Sequence, residues 1–271
     1  SRRPDAAEGA ARAARKAHLI TSRTNPQVKR WSKLLRDGRL RRAERRAVIE
    51  GPHLVAAALA AGAKPISMLG TEAALAKPEI ATLVRQSRLT PIVLSPAVFG
   101  AIADAETPPG IAAEIALPDI RRAGPAVYLE GVQDAGNVGA IIRSAAAFGV
   151  GTVVVDRQCA DPWSPKVLRG GMGGHFAIGI RQVDDLGAAI ADHGGRLICT
   201  VVHGGRPLRE ADLSGRVAWA FGAEGAGLST QLLARAAERV TIPMAGGESL
   251  NVAAAAAICL YEAFSRPGAG S

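Results

Sequence analysis

The side chains best suited to chemistry lie in three glycine-rich segments in the second half of the chain. In the first segment, Asn137 and Gly139 precede Arg143, whose neighbours are mostly apolar. We expect Asn137 to cap a helix and Arg143 to lie within it. Because an unpaired buried charge is costly, Arg143 should meet either a structural ion-pair partner or the phosphate or ribose of a ligand. These residues alone leave both interpretations open.

The second and third segments contribute a carboxylate and a polar corner. Glu224 stands among three glycines that would let the backbone approach a ligand closely, and it could bind a hydroxyl, an amine or Arg143. Ser249 and Asn251 flank Leu250 just before an apolar run, and both are good helix N-caps. The corner is therefore either an ordinary capped helix start or a place where backbone N–H groups meet a ligand.

Strand-like and helix-like segments alternate around these motifs, which indicates an α/β protein. In the second half we predict a doubly wound parallel sheet, and ligands of such sheets bind beyond the carboxyl ends of the strands. The predicted strands there are 126–130, 152–156, 176–181, 197–202, 217–221 and 239–244, and the helices are 138–148, 184–193, 229–237 and 251–264. In the first half we predict a smaller α/β domain with helices at 25–36, 52–61, 72–86 and 97–103.

Positive charge is concentrated at one end of the chain. The net charge is +9, yet residues 1–50 alone hold fifteen Lys or Arg against five Asp or Glu. Such a block favours a polyanion, RNA or DNA first, although a solvated tail would account for part of it. The candidate RNA-binding side chains are Arg23, Lys29, Arg30, Lys33, Arg36, Arg41, Arg42, Arg45 and Arg46.

Composition also sets the expected domains and excludes some classes of protein. We predict a flexible basic arm at 1–17, a first domain at 18–117, a linker at 118–125, a second domain at 126–266 and a tail at 267–271. No apolar run reaches the roughly 18 residues that span a bilayer, and no secretory signal is visible. Cys159, Cys199 and Cys259 are far apart and show no zinc spacing, which is typical of a reduced, cytoplasmic protein without a metal site.

Taken in order, the three segments resemble the motifs of the SpoU/TrmH branch of the SPOUT RNA methyltransferases. N-x-G-x-x-x-R matches at 137–143, G-x-E-G-x-G at 222–227, and I-P-M-x-G followed by S-L-N-V at 242–252. In the first half, S-R-x-N-P at 22–26 and E-G-x-H-L-V at 50–55 resemble the family's substrate-binding domain. One departure is Ala253, where many relatives carry serine after the valine.

The resemblance implies methylation of a ribose 2′-hydroxyl in RNA, with S-adenosylmethionine as cofactor. The implied fold is a parallel-sheet SPOUT domain with a deep trefoil knot, preceded by a smaller L30e-like α/β domain that binds RNA. The implied partner is a second copy of the chain, with the apolar helix at 252–260 buried in a homodimer. The implied cofactor-binding residues are Thr200, Val201, Gly222, Ile242, Leu250 and Asn251.

The resemblance also assigns the catalytic side chains. They are Arg143, Asn137, Glu224, Ser249 and Asn251, with Asn137 and Glu224 expected to orient Arg143. A guanidinium is essentially always protonated, so we expect Arg143 to stabilise the developing alkoxide and hold a phosphate rather than to act as a base.

The sequence leaves several alternative functions open. Ribosomal RNA, with 23S rRNA first, is the favoured substrate because of the two-domain layout, and transfer RNA is the alternative. A non-catalytic RNA-binding protein would need the basic block but not the three glycine-rich segments. A nicotinamide-dependent enzyme is a weaker alternative, because the first segment does not match G-x-G-x-x-G.

Overall fold

The computed structural model describes residues 19–120 and 122–266. They form two compact units that divide between Pro118 and Asp119, and the short segment Trp163–Pro165 groups with the first unit. The predicted arm at 1–17 and tail at 267–271 lie outside the described residues.

The first unit is built from four short strands and the helices between them. Its elements are α1 Pro26–Arg36, α2 Gly38–Glu44, β1 Arg46–Glu50, α3 Pro52–Ala60, β2 Ser67–Gly70, α4 Glu72–Leu75, α5 Pro78–Ser87, β3 Ile92–Val93, α6 Pro96–Ile102 and β4 Ile111–Ala116. The strand order is β1-β4-β2-β3. Strands β1 and β2 run antiparallel to β4, whereas β2 and β3 are parallel. This unit is the smaller α/β domain that the sequence predicts.

Helix α1 forms as its sequence predicts. The side chain of Asn25 accepts a hydrogen bond from the N–H of Gln27 at 2.8 Å, and Pro26 occupies the first turn. The buried face of α1 consists of Val28, Trp31, Leu34 and Leu35. The single helix predicted at 72–86 is wrong, because Pro78 has no N–H to continue the first helix and instead starts α5.

A buried carboxylate joins α1 to the sheet of the first unit. Glu114 on β4 is 3% exposed, and its Oε1 accepts hydrogen bonds from Arg30 at 2.9 Å and Arg46 at 2.8 Å. Its Oε2 accepts one from the indole N–H of Trp31 at 2.9 Å. Burial would raise the pKa of Glu114, but the hydrogen bonds from Arg46, Trp31 and Arg30 lower it below its usual value. Trp31, which is 2% exposed and donates to this buried carboxylate, is a core residue.

The second unit is a parallel sheet with helices between its strands. Its elements are β5 Ala126–Glu130, α7 Ala135–Ala147, β6 Thr152–Val155, α8 Pro165–Gly171, β7 Gly179–Gln182, α9 Leu186–His193, β8 Arg196–Thr200, β9 Arg206–Pro207, β10 Val217–Gly222, α10 Thr230–Leu233, β11 Glu238–Thr241 and α11 Val252–Ser265. The order is β7-β6-β5-β10-β8-β11-β9, and every pairing among these described strands is parallel.

Helices cover both faces of this sheet. One apolar cluster joins α7 and α11 to strand residues such as Val127 and Trp219. A second cluster joins α9 and α10 to residues such as Tyr128 and Ala218, which point to the other face because side chains alternate along a strand. The predicted doubly wound sheet is thereby confirmed.

Several predicted boundaries in the second unit are wrong. Helix α7 begins three residues early, because the carboxylate of Asp134 caps it by accepting the N–H of Asn137 at 2.9 Å. The expected role of Asn137 as the helix cap is therefore corrected. A 3₁₀ turn at Gly174–Phe176 delays the strand predicted at 176–181, and α10 ends at Leu233 instead of 237. Helix α8 and strand β9 were not predicted.

Helix α11 has two different apolar faces. Its buried residues are Val252, Ala256, Cys259 and Leu260. The other face leaves Ile258 at 41%, Tyr261 at 57% and Phe264 at 56% exposed. The prediction that α11 is buried all round therefore does not hold within a single chain. Among the described residues, no helix has both the length and the apolar character to cross a membrane.

Candidate functional site

A cavity of about 690 Å³ opens at the carboxyl ends of three adjacent strands of the second unit. Thr200 ends β8, Gly222 ends β10 and Thr241 ends β11, and these strands are neighbours in the sheet. The wall comes from 200–202, 221–227 and parts of 240–255. We call this space the strand-end cavity. Its size lies within the usual range for small-molecule sites, and its position is where parallel α/β sheets bind ligands.

The loop 222–227 folds tightly back on itself and carries Glu224 to the cavity wall. The N–H of Gly227 donates to the carbonyl of Ala223 at 2.8 Å. A Cβ added to Gly222 would lie 2.2 Å from the carbonyl carbon of Gly227, so the turn has no room for a side chain there. Gly225 has a φ of 83°, which glycine adopts without strain. The glycines of this segment thus position a carboxylate.

Two amides hold the carboxylate of Glu224. The Nδ2 of Asn137 donates to its Oε1 at 3.1 Å, and the Nδ2 of Asn251 donates to the same oxygen at 2.7 Å. The Nδ2 of Asn251 also donates to the Oδ1 of Asn137 at 3.0 Å. We call these three side chains the amide–carboxylate triad. The three glycine-rich segments therefore meet at one point, as their resemblance to known motifs predicted.

The orientation of Asn251 in this triad follows from helix capping. Its Oδ1 accepts the backbone N–H groups of Ala253 at 3.0 Å and Ala254 at 3.2 Å at the start of α11. Because that oxygen faces the helix, the amide NH₂ must face the opposite way, towards Glu224. Asn251 therefore has both expected roles, because its oxygen caps α11 and its NH₂ group contacts Glu224.

All six residues predicted to bind a cofactor line the strand-end cavity. They are Thr200, Val201, Gly222, Ile242, Leu250 and Asn251. Ser249 and Glu224 are also on the wall. Glu248 lies there too, although the sequence did not single it out. It adjoins the Ser-Leu-Asn corner and is acidic, which is the signal that could have identified it. The roles of all these residues stay predictions.

Arg143 is placed differently from expectation. It is exposed on α7, six residues after Asn137, which is about 9 Å along the helix axis. Its side chain makes no hydrogen bond or ion pair with residues in the described ranges. The expectation that it is buried is therefore wrong, whereas its expected contact with the phosphate or ribose of a ligand stays a prediction. The expected contact with Asn137 and Glu224 is absent too; those two side chains bond to each other instead.

The nine basic candidates of the first unit divide into two groups. Five are exposed: Arg23, Lys29, Lys33, Arg36 and Arg45. The remainder, Arg30, Arg41, Arg42 and Arg46, are buried or partly buried. Arg41 donates to the carbonyls of Leu34 and Leu35, at 2.5 and 3.0 Å, and is 4% exposed.

The assignment of Arg41 to RNA binding is corrected accordingly, whereas Arg30, Arg42 and Arg46 are partly exposed and their assignment stays a prediction. Arg30 pairs with Glu44 and Glu114, and Arg46 pairs with Glu114. These guanidinium groups satisfy carboxylates and carbonyls of the fold, so they stabilise it.

The cysteines and the acidic groups were compared with the requirements of a metal site within the described residues. Burial raises the pKa of the Cys159 and Cys259 thiols to about 12 and that of Cys199 to about 11, so all three stay protonated at neutral pH. Across 19–120 and 122–266, no cluster of three or more His, Cys, Asp or Glu is placed to hold a metal ion.

Comparison with known proteins points to one family. Residues 124–261 match the SpoU rRNA Methylase family, and residues 25–113 match the MRM3-like substrate binding domain. The chain is 34% identical over 251 residues to the 23S rRNA (guanosine(2553)-2'-O)-methyltransferase RlmP of Bacillus subtilis (strain 168). The alignment covers 89% of this chain and 97% of that protein.

Solved structures agree with the sequence relatives. The SpoU methyltransferase AviRb from Streptomyces viridochromogenes, in complex with the cofactor AdoMet, superposes with a TM-score of 0.81 at 27% identity, covering 89% of this chain and 97% of that one. The crystal structure of an RNA 2'-O ribose methyltransferase has a TM-score of 0.75 at 32% identity, covering 90% of this chain and 97% of that one.

Proposed function

This chain belongs to the SpoU rRNA methylase family, and we propose that it transfers a methyl group from S-adenosylmethionine to a ribose 2′-hydroxyl of RNA. The observation that carries this proposal is the meeting of three motifs at the strand-end cavity. Residues separated by up to 114 positions form the amide–carboxylate triad, and the six predicted cofactor positions line the same cavity. Neither feature is needed by a protein that only binds RNA.

The strand-end cavity suits S-adenosylmethionine in size and in the chemistry of its wall. Apolar side chains such as Ile242 and Leu250 face it beside backbone groups of the loop 222–227. The cofactor supplies an activated methyl group, and the residues of the chain hold it, exclude water and align the hydroxyl.

We assign separate roles to the candidate side chains. Arg143, which is exposed and unpaired among the described residues, would bind the phosphate next to the target ribose and stabilise negative charge on its oxygen. Asn137 and Asn251 hold Glu224 in place. Ser249, on the cavity wall, would contact the ribose or the cofactor.

The first unit would provide affinity for RNA. Lys29, Lys33 and Arg36 are exposed at positions i, i+4 and i+7 of α1, so they form one cationic face opposite the buried one. We call them the α1 cationic face. Ribosomal RNA is the substrate we propose, in line with the name of the Bacillus subtilis relative. We also propose that residues 18–117 and 126–266 act as the RNA-binding and catalytic domains.

We further propose that the protein is a homodimer whose interface includes α11. The exposed rings of Tyr261 and Phe264 lie 5.7 and 5.9 Å from the ring of Phe148, and Ile258 extends the same apolar helix. An exposed apolar patch of this kind is typical of a protein–protein interface. The trefoil knot implied by the family resemblance stays a prediction.

Two measurements test this function. Calorimetry should detect S-adenosylmethionine binding, and purified protein should transfer a labelled methyl group to 23S rRNA, with the product mapped as a 2′-O-methyl nucleotide. Arg143→Ala should keep cofactor affinity within about twofold and lower turnover about 10²- to 10³-fold, the usual effect of removing a group that stabilises developing charge. A protein that binds no S-adenosylmethionine would instead be a non-catalytic RNA-binding protein. Near-normal turnover by Arg143→Ala would show that Arg143 has no central role.

A further inference from the structure

The two carboxylate oxygens of Glu224 have different surroundings. Both amide donors, Asn137 Nδ2 at 3.1 Å and Asn251 Nδ2 at 2.7 Å, reach Oε1. Oε2 accepts no hydrogen bond from any side chain or backbone group within residues 19–120 and 122–266. One oxygen therefore anchors the side chain, and the other remains available as an acceptor on the wall of the strand-end cavity.

We propose that Glu224 is the proton acceptor of the reaction, with Oε2 taking the proton of the ribose 2′-hydroxyl. This role rests on the proposed function, since it requires a hydroxyl that becomes methylated. An ionised carboxylate has only acceptor sites, and Asn137 and Asn251 fix it without a cation that would compete for the proton. A base held in place before the substrate arrives needs little reorganisation when the proton moves.

The step balances without any further reagent. The O–H bond of the 2′-hydroxyl breaks, and its proton passes to Oε2 of Glu224. The 2′-oxygen forms a bond to the methyl carbon while the carbon–sulfur bond breaks, and that electron pair stays on sulfur. The products are a 2′-O-methyl ribose, neutral S-adenosylhomocysteine and a protonated Glu224, which then loses its proton to solvent.

The other candidate side chains are less suited to this step. Arg143 carries a guanidinium that is essentially always protonated, so it cannot take a proton. The hydroxyls of Thr200 and Ser249 would need a base of their own. Glu248 is the other carboxylate on the described wall, but no hydrogen bond to a described residue holds it in one position. Among the described side chains on the wall, Glu224 is the one that combines a carboxylate acceptor with a fixed orientation.

The test compares two isosteric substitutions. Glu224→Gln keeps an oxygen for the two amide donors and replaces the proton acceptor by an NH₂ group. We expect its affinities for S-adenosylmethionine and for RNA to stay within about twofold of wild type, while the single-turnover rate of methyl transfer falls about 10²- to 10⁴-fold. Glu210→Gln, the matched control, removes the same charge at an exposed position outside the cavity wall and should leave that rate within about twofold of wild type.

A second variant guards against a purely structural explanation. Glu224→Gly leaves space beside the two amides, and added formate should restore its rate by at least about tenfold. Formate should not restore Glu224→Gln, in which the glutamine side chain fills that space. An active Glu224→Gln enzyme, or one that fails only because it no longer binds S-adenosylmethionine, would overturn the role in proton transfer. A wild-type protein that binds the cofactor but methylates no RNA would overturn the proposed function itself.

Discussion

The α1 cationic face allows a quantitative prediction for RNA binding. Each phosphate that a cation neutralises adds about 0.7 to 0.9 to the slope of log affinity against log salt. Replacing Lys29, Lys33 and Arg36 by glutamine should therefore reduce the slope by about 2 to 3. Between 50 and 200 mM salt, wild type should lose about 20- to 40-fold more affinity than the triple variant. Fluorescence anisotropy with a labelled 23S rRNA fragment, repeated over this range, measures both slopes.

The control for this experiment carries the same charge change elsewhere on the first unit. Lys64, Lys77 and Arg85 are exposed outside α1, so their replacement by glutamine should leave the slope close to that of wild type. Arg36 also donates to Ser32 Oγ at 2.8 Å and to the Ala101 carbonyl at 3.1 Å, so the melting temperature of each variant should be recorded. If both triple variants reduced the slope equally, RNA affinity would depend on the net charge of the first unit and not on the α1 cationic face.

Three further predictions follow from the two units. Glu114→Gln should lower the free energy of unfolding by about 1 to 3 kcal/mol at pH 7. Because the folded-state pKa of Glu114 is lowered, the stability it contributes is present above the unfolded pKa near 4.3 and is lost as pH falls. Thermal melting temperatures of wild type and variant should therefore converge in acid. Gly222→Ala should displace the loop 222–227 and weaken S-adenosylmethionine binding at least about tenfold by calorimetry, whereas Gly246→Ala, which meets nothing within 4 Å, should not. Ile258→Asp should convert the proposed dimer to a monomer in sedimentation velocity with little change in melting temperature, and a variant that stays dimeric would place the interface elsewhere.

Local features of this chain were predictable because their causes are local. The Asn25–Pro26 start of α1 and its buried face follow from capping and helical periodicity. The parallel sheet follows from alternating strands and helices. Predicted helix boundaries were wrong where a nearby residue ended or began the helix instead. Asp134 took the capping role expected of Asn137, and Pro78 divided a predicted helix.

The sequence by itself determined which residues are candidates for chemistry, since the glycine-rich segments and their polar side chains are readable from type and spacing. Only the tertiary structure decided which of them meet. Asn137 and Asn251 lie 87 and 27 positions from Glu224, and strand order brings all three to one edge of the sheet. Periodicity could not reveal that Arg41 is buried while Lys33 is exposed, because both are cationic positions on short helices. Contacts between distant segments set those environments, and the same contacts leave one oxygen of Glu224 available.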